Sequence, residues 1–236
     1  MTDDEATMTL MEHLEELRRR LIIIVISILG AAVLGFVVSR PVLILLRSQL
    51  PDEYEQLQFL GPADAFAAQL KVAGFLGIAL AMPVILYQAW RFIGPGLTPR
   101  ERRFVWPITL AALLLFVLGV AIGYVIIPYA LSFLLNFGED LAQPNMTIDR
   151  YVGFVTTMLL AFGLALEFPV VLIGLSKVRI LNYRRLASQR RWAILVIVLF
   201  AILLTPGGDP VSSLILSGVM FLLFEGSLQV IRLMHR

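Results

Sequence analysis

Residues 21–38 read LIIIVISILGAAVLGFVV, a stretch with no charge and a single hydroxyl. Such a run placed in hydrocarbon must satisfy its backbone N–H and C=O groups internally, which a single segment achieves only as a helix. About 20 residues are needed to cross about 30 Å of hydrocarbon. Six runs of this kind are present, at about 20–39, 66–93, 104–136, 151–175, 192–205 and 211–231. The expected fold is therefore an all-α polytopic membrane protein with six transmembrane helices, forming one integral membrane domain over residues 1–236. Strands of a membrane barrel would alternate polar and apolar residues, and these runs are continuous. The chain is 59% hydrophobic and 15% charged, with a mean hydropathy of +0.87. A soluble domain of this size needs more polar cover. With no cysteine and two histidines, disulfides, thiolate chemistry and a His-rich metal site are not expected, nor is any cofactor. The first run follows twenty residues of mixed charge and is longer than the core of a cleavable leader, so none is expected.

Charge placement predicts orientation. With six spans both termini share one side, and that side holds Arg18, Arg19, Arg20, Arg91, Arg100, Arg102, Arg103, Lys177, Arg179, Arg184, Arg185, Arg190, Arg191, Arg232 and Arg236. The other side holds Arg40, Arg47, Lys71 and Arg150. Fifteen against four is a strong positive-inside bias, which places both termini in the cytoplasm. The opposite loops are acidic, with Asp52, Glu53, Glu55, Asp64, Glu139, Asp140 and Asp149. The basic residues border apolar runs rather than forming a nucleic-acid patch, so no nucleic-acid partner is expected.

The spans are unequal. The third is long enough to tilt or project beyond the bilayer. The fifth has a core of only residues 192–204 and the sixth an apolar heart of only Leu214–Phe224, so helices five and six are expected to be short and the lipid beside them thinned. Pro83 and Pro169 sit inside spans two and four, each removing a backbone hydrogen bond and inviting a kink. Kinked and short helices together predict a concave, cupped arrangement; a plain kinked bundle is the alternative.

Five motifs occur in order: HLEELRRRL at 13–21, PVILYQAWRFIGPGL at 83–97 followed by TPRERR, AFGLALEFPV at 161–170, LLTPGGDP at 203–210 and LFEGS at 223–227. The ordered set resembles TatC, the core membrane subunit of the twin-arginine protein translocase. The resemblance implies a twin-arginine signal-peptide receptor and scaffold that exports folded proteins using the proton-motive force. It further implies TatA and TatB family proteins as partners, contact with membrane lipid, self-association in a receptor complex, and a prokaryotic cytoplasmic (inner) membrane location. Two departures stand out: Ser213 where the family often has Gln, and no obvious proline in VLILLRSQL.

An Arg-Arg ligand needs fixed carboxylates that its guanidinium forks can grip. On the Arg-rich side the exceptions are Glu12, Glu15 and Glu16 before span one and Glu101 in the first loop. The family motif falls on Glu16 and Glu101, which the resemblance assigns to binding the twin arginines, with Arg18 and Arg20 shaping the site and Phe92 supporting the adjoining surface. Bland readings stand beside this. Thr9 to Glu12 has the form of a capping box, and Leu10, Leu14, Leu17 and Leu21 make an apolar stripe suited to a helix lying at the interface. Glu16 and Arg20 are spaced to pair with each other, and Glu101 is spaced to cap span three.

Glu167 lies deep in span four, where an ionisable group is costly and by default functional. It is read as a contact for a partner's transmembrane helix, the alternative being a protonated acid that satisfies backbone groups freed by the kink. Asp209 and Glu225 are further partner-helix candidates; Asp209 also reads as a helix N-cap and Glu225 as an internal ion pair. Gln88 is expected to hydrogen-bond between helices, and His13 to be structural. No phosphate loop, HExxH or nucleophile-elbow motif is present, so catalysis is not expected. A small secondary transporter or permease subunit is the competing reading, which needs a midplane polar cluster where the spans supply little beyond Glu167, and an intramembrane enzyme is a third, which needs paired Ser/His, paired Asp or metal ligands at similar depth that the sequence does not show.

Overall fold

The uncharged runs become helices almost where they begin and end. In a computed structural model that describes residues 10–50, 57–93, 105–137, 146–177, 181 and 183–234, α1 spans Leu10–Val37, α2 Ser39–Arg47, α3 Asp64–Ile93, α4 Val105–Phe137, α5 Ile148–Ala165, α6 Phe168–Lys177, α7 Tyr183–Ser188, α8 Arg190–Leu204 and α9 Pro210–Met234. Five segments are long and apolar enough to cross a membrane: Met11–Val37, Asp64–Phe92, Trp106–Phe137, Ile148–Lys177 and Pro210–Leu233. The remaining expected span, α8, has 15 residues, about 22 Å at 1.5 Å per residue, as its short apolar core predicts.

Two expectations need correction. The N-terminal motif is not a separate interfacial helix; it forms the opening turns of α1, 28 residues in one piece. The last helix is not short, since α9 runs for 25 residues. Three of its serines do not interrupt it because their hydroxyls bond to carbonyls one turn back: Ser213 Oγ donates to Asp209 O at 2.8 Å, Ser217 Oγ to Leu214 O at 2.9 Å and Ser227 Oγ to Leu223 O at 2.7 Å, while Ser212 Oγ reaches Met158 Sδ on α5 at 3.9 Å.

The two prolines behave differently. α3 continues unbroken through Pro83. At Pro169 the span parts into α5 and α6, with Leu166 and Glu167 forming a turn. Pro169 has no N–H to offer the carbonyl of residue 165. The chain tightens there, Glu167 N donating to Leu164 O at 3.1 Å before Val170 N re-engages Glu167 O at 3.0 Å.

α1 packs along α3, α3 along α5, α5 along α4, and α9 against both α6 and α8. The α4–α5 seam is the tightest: a Cβ on Gly119 would stand 2.4 Å from Phe162 O and 2.8 Å from Gly163 Cα, so only glycine lets these backbones meet. The main buried core draws on α2 to α6, α8 and α9, with Phe162, Ile127, Met158, Leu216 and Phe224 fully enclosed. A second cluster joins Met82, Leu86 and Trp90 of α3 to Phe116 of α4 and Val170 of α6. α1 lies outside both, and Leu21, Val25, Ile26, Leu29 and Val33 along it are exposed, as suits a helix facing lipid.

At the N-terminal end of α3 the connecting segments are tied together. Gln58 N donates to Met146 O and Ile148 N to Gln58 O, both at 3.1 Å. Lys71 Nζ lies 2.7 Å from Asp149 Oδ1, and Tyr151 Oη donates to Leu46 O at 2.6 Å, from α5 to the end of α2. These contacts fix the N-terminal end of α3, while its other end packs on α4 and α6 and meets α1.

Candidate functional site

HLEELRRRL winds as the first turns of α1, and its three- and four-residue spacings place His13, Glu16 and Arg20 on one face. That face meets the last turns of α3, where Gln88, Arg91 and Phe92 sit within one turn of each other. Between the two helices lies a groove of about 890 Å³, lined by Glu12, Glu15, Glu16, Arg18, Arg19, Arg20, Gln88 and Arg91 together with Ile22 and Ile23.

The geometry centres on Glu16. Its Oε1 accepts from Arg20 Nε at 3.1 Å and also from Arg20 Nη2. Arg20 Nη1 donates across the seam to Gln88 Oε1 at 3.2 Å. Glu16 Oε2 lies 3.9 Å from His13 Nδ1; it is buried and takes no hydrogen bond among the described residues. The His13 ring stacks on Phe92 with centroids 4.3 Å apart and planes at 21°. On the rim the Arg91 guanidinium stands 5.9 Å from the Tyr87 ring centroid. Both side chains of the central pair are largely covered, Glu16 18% and Arg20 13% exposed, so the attraction between them is less screened than at an open surface. Chemically this is a positioned carboxylate that already holds a guanidinium.

Glu16, Arg18 and Arg20 line this groove, and Phe92 adjoins it through the His13 ring. Glu101 lies outside the described residues, as do the Thr9 cap and the Thr98–Pro99 start of the loop motif. Gln88 makes the interhelical bond expected of it. Its place in the groove, and that of Arg91, was missed; the available signal was that 88 and 91 share one turn of helix with Phe92, which the sequence already placed beside the site.

The other candidates are separate from this groove. Glu167 is 8% exposed at the α5–α6 break, and neither carboxyl oxygen has a hydrogen-bond partner among the described residues. It does not, therefore, satisfy backbone groups freed by the kink. Asp209 is 1% exposed and caps α9, Oδ1 accepting from Ser212 N at 2.7 Å. Thr205 Oγ1 and Ser213 Oγ hydrogen-bond beside it. Glu225 pairs with Arg190 twice, Oε2 accepting from Nη2 at 3.0 Å and Oε1 lying 2.9 Å from Nε, which ties α9 to the start of α8.

Comparison with known proteins identifies relatives over nearly the whole length. The family profile described as Sec-independent protein translocase protein (TatC) matches residues 12–218. A protein named Sec-independent protein translocase protein TatC from Carboxydothermus hydrogenoformans is 37% identical over 226 residues, 95% of this chain and 93% of its own. The chloroplastic TATC of Arabidopsis thaliana is 35% identical over 235 residues, 99% of this chain and 69% of its own. A crystal structure titled as the twin arginine translocase receptor TatC superposes with a TM-score of 0.80 at 35% identity, covering 95% of this chain and all of that one.

Proposed function

Because the chain belongs to the TatC family of Sec-independent protein translocase proteins, multi-pass membrane components of the Tat complex that transport rather than catalyse, we propose that it is the receptor for twin-arginine signal peptides and the core scaffold on which folded proteins are exported. The observation that carries this reading is the Glu16 carboxylate, held between α1 and α3 and already gripping a guanidinium. In a groove that Glu16 shares with four arginines and two further glutamates, a fixed carboxylate selects a planar fork over a point charge. Glu101 is the proposed second carboxylate, Arg18 shapes the groove, and Phe92 buttresses Glu16 through His13.

The wider proposal has six spans, α8 being the short fifth, in a cupped arrangement with lipid thinned beside α8 and both termini cytoplasmic. The positive-inside bias supports the orientation. We place the chain in a prokaryotic cytoplasmic membrane, supported by the bacterial relative matched over 93% of its length. TatA and TatB family proteins are the proposed partners, drawing on the proton-motive force, with further copies of this chain in the receptor complex. Glu167 is the proposed contact for a partner helix, since it is an intramembrane carboxyl with no internal partner among the described residues. Asp209 and Glu225 are secondary contacts, already engaged by the α9 cap and by Arg190.

The test is charge reversal. Glu16→Lys and Glu101→Lys each abolish photocrosslinking of an Arg-Arg signal peptide to membranes that still contain the protein. Crosslinking equal to the parent chain in both variants, or equal crosslinking of a Lys-Lys peptide to the parent, overturns the receptor assignment. For Glu167→Ala, TatA crosslinking falls while peptide binding persists; unchanged TatA crosslinking removes Glu167 from the partner surface.

A further inference from the structure

The groove has a feature that bears on selectivity. Among the described residues the Glu16 oxygen that accepts hydrogen bonds is Oε1, and Arg20 takes it with two donors. The second oxygen is buried against His13. An incoming guanidinium therefore reaches this carboxylate by taking the place that Arg20 holds. Arg20 need not return to bulk water when displaced, because Nη1 is already bonded to Gln88 Oε1 on α3.

Resting on the reading of Glu16 as a guanidinium acceptor, we infer that Arg20 is a built-in competitor for that site and Gln88 the acceptor that holds Arg20 when it is displaced. The first arginine of a signal then makes an exchange: one guanidinium leaves Glu16 and another arrives, with the number of charge-assisted bonds on the carboxylate unchanged. Such an exchange contributes little net affinity. Net affinity must then come from the second arginine. A single-arginine peptide gains only the exchange. A lysine does worse, because one ammonium has no fork to match the two donors it must displace. The local charge acts in the same direction: among the described residues the groove is lined by Glu12, Glu15 and Glu16 against Arg18, Arg19, Arg20 and Arg91, three carboxylates against four guanidinium groups, so loss of Arg20 removes the cationic excess of these residues. Requirement for a pair thus follows from an internal arginine as well as from the number of acids.

The experiment measures binding of three fluorescent peptides, identical except for Arg-Arg, Arg-Gln or Lys-Lys at the recognition position, to the purified full chain in lipid nanodiscs. Arg20→Gln is expected to tighten Arg-Gln binding by about tenfold, equivalent to about 1.4 kcal/mol, and so to narrow the preference for the pair. Gln88→Glu draws Arg20 toward α3 and shifts binding in the same direction. Gln88→Leu removes the holding acceptor and weakens Arg-Arg binding, and adding Arg20→Gln restores it. Should Arg20→Gln fail to accumulate, the opposite signs of Gln88→Glu and Gln88→Leu decide the matter, and equal signs overturn the inference. If Glu16→Gln abolishes Arg-Arg binding while Arg20→Gln and Gln88→Glu leave the pair preference unchanged, the carboxylate site stands and the competitor does not. If Glu16→Gln binds as the parent does, the underlying site assignment fails, and the competitor with it.

Discussion

Asp209 separates a structural role from a partner-binding one by a single atom. It sits in extended conformation (φ −66°, ψ 133°) ahead of Pro210, the first residue of α9, and Oδ1 accepts from Ser212 N at 2.7 Å. This is an N-cap followed by a proline at the first helical position. Oδ2 is buried and has no hydrogen-bond partner among the described residues. Asp209→Ala removes the cap, which costs about 0.5–2 kcal/mol, offset in part by removal of the unpartnered oxygen. Asp209→Asn keeps the capping oxygen, and Asn caps about as well as Asp, so its stability should lie within about 0.5 kcal/mol of the parent. At about 2–4 °C per kcal/mol for a chain of this length, the alanine variant should unfold a few degrees below the asparagine variant. Thermal unfolding of both proteins in one detergent, followed by intrinsic fluorescence, measures the difference. Equal midpoints for the two variants would refute capping as the use of Oδ1. Export then tests what the charge does: an asparagine variant of parental stability that no longer exports assigns the carboxylate to a partner, and one that exports normally leaves Asp209 as a cap.

Gly119→Leu should destabilise by about 1–3 kcal/mol, because its Cβ would meet backbone of α5 rather than a movable side chain; unfolding in detergent at the parental temperature would contradict the α4–α5 contact. Tyr151→Phe deletes the bond to Leu46 O and should cost about 1 kcal/mol, with faster hydrogen exchange confined to the end of α2; unchanged exchange there would show that this bond does not hold α2. Arg190 and Glu225 are 45% and 31% exposed, so a double-alanine cycle on their pair should return a coupling below about 1 kcal/mol and one that shrinks with added salt.

What the sequence made legible follows the range of the interactions involved. The third run, expected at about 104–136, is the helix Val105–Phe137, because loss and return of charge mark where a helix leaves hydrocarbon. The short α8 was legible for the same reason. The sixth run was misjudged because its serines count as polar by composition, whereas the hydroxyls of Ser213, Ser217 and Ser227 are each satisfied by a carbonyl one turn back and the helix continues past them. Proline was only half informative: Pro169 marks a break and Pro83 lies in a continuous helix. A missing backbone bond is written in the sequence; whether the helix parts there depends on neighbours that are not.

The groove shows the same division in one place. That Glu16 stands out among arginines is local, as is its spacing from Arg20, and both could be read from nine consecutive residues. Which partner Arg20 takes across the seam was not readable, since Gln88 lies 68 positions away and reaches the groove only because α1 lies along α3. The stacking of His13 on Phe92 is likewise a product of that packing. The consequence is physical as well as historical. Local spacing fixes which group can accept a guanidinium, while tertiary packing fixes whether that group is free. A chain with the same N-terminal motif but without an acceptor at position 88 would present the same carboxylate and hold its own arginine more tightly, so affinity for a signal should vary among relatives with the identity of that one α3 residue even where the α1 motif is unchanged.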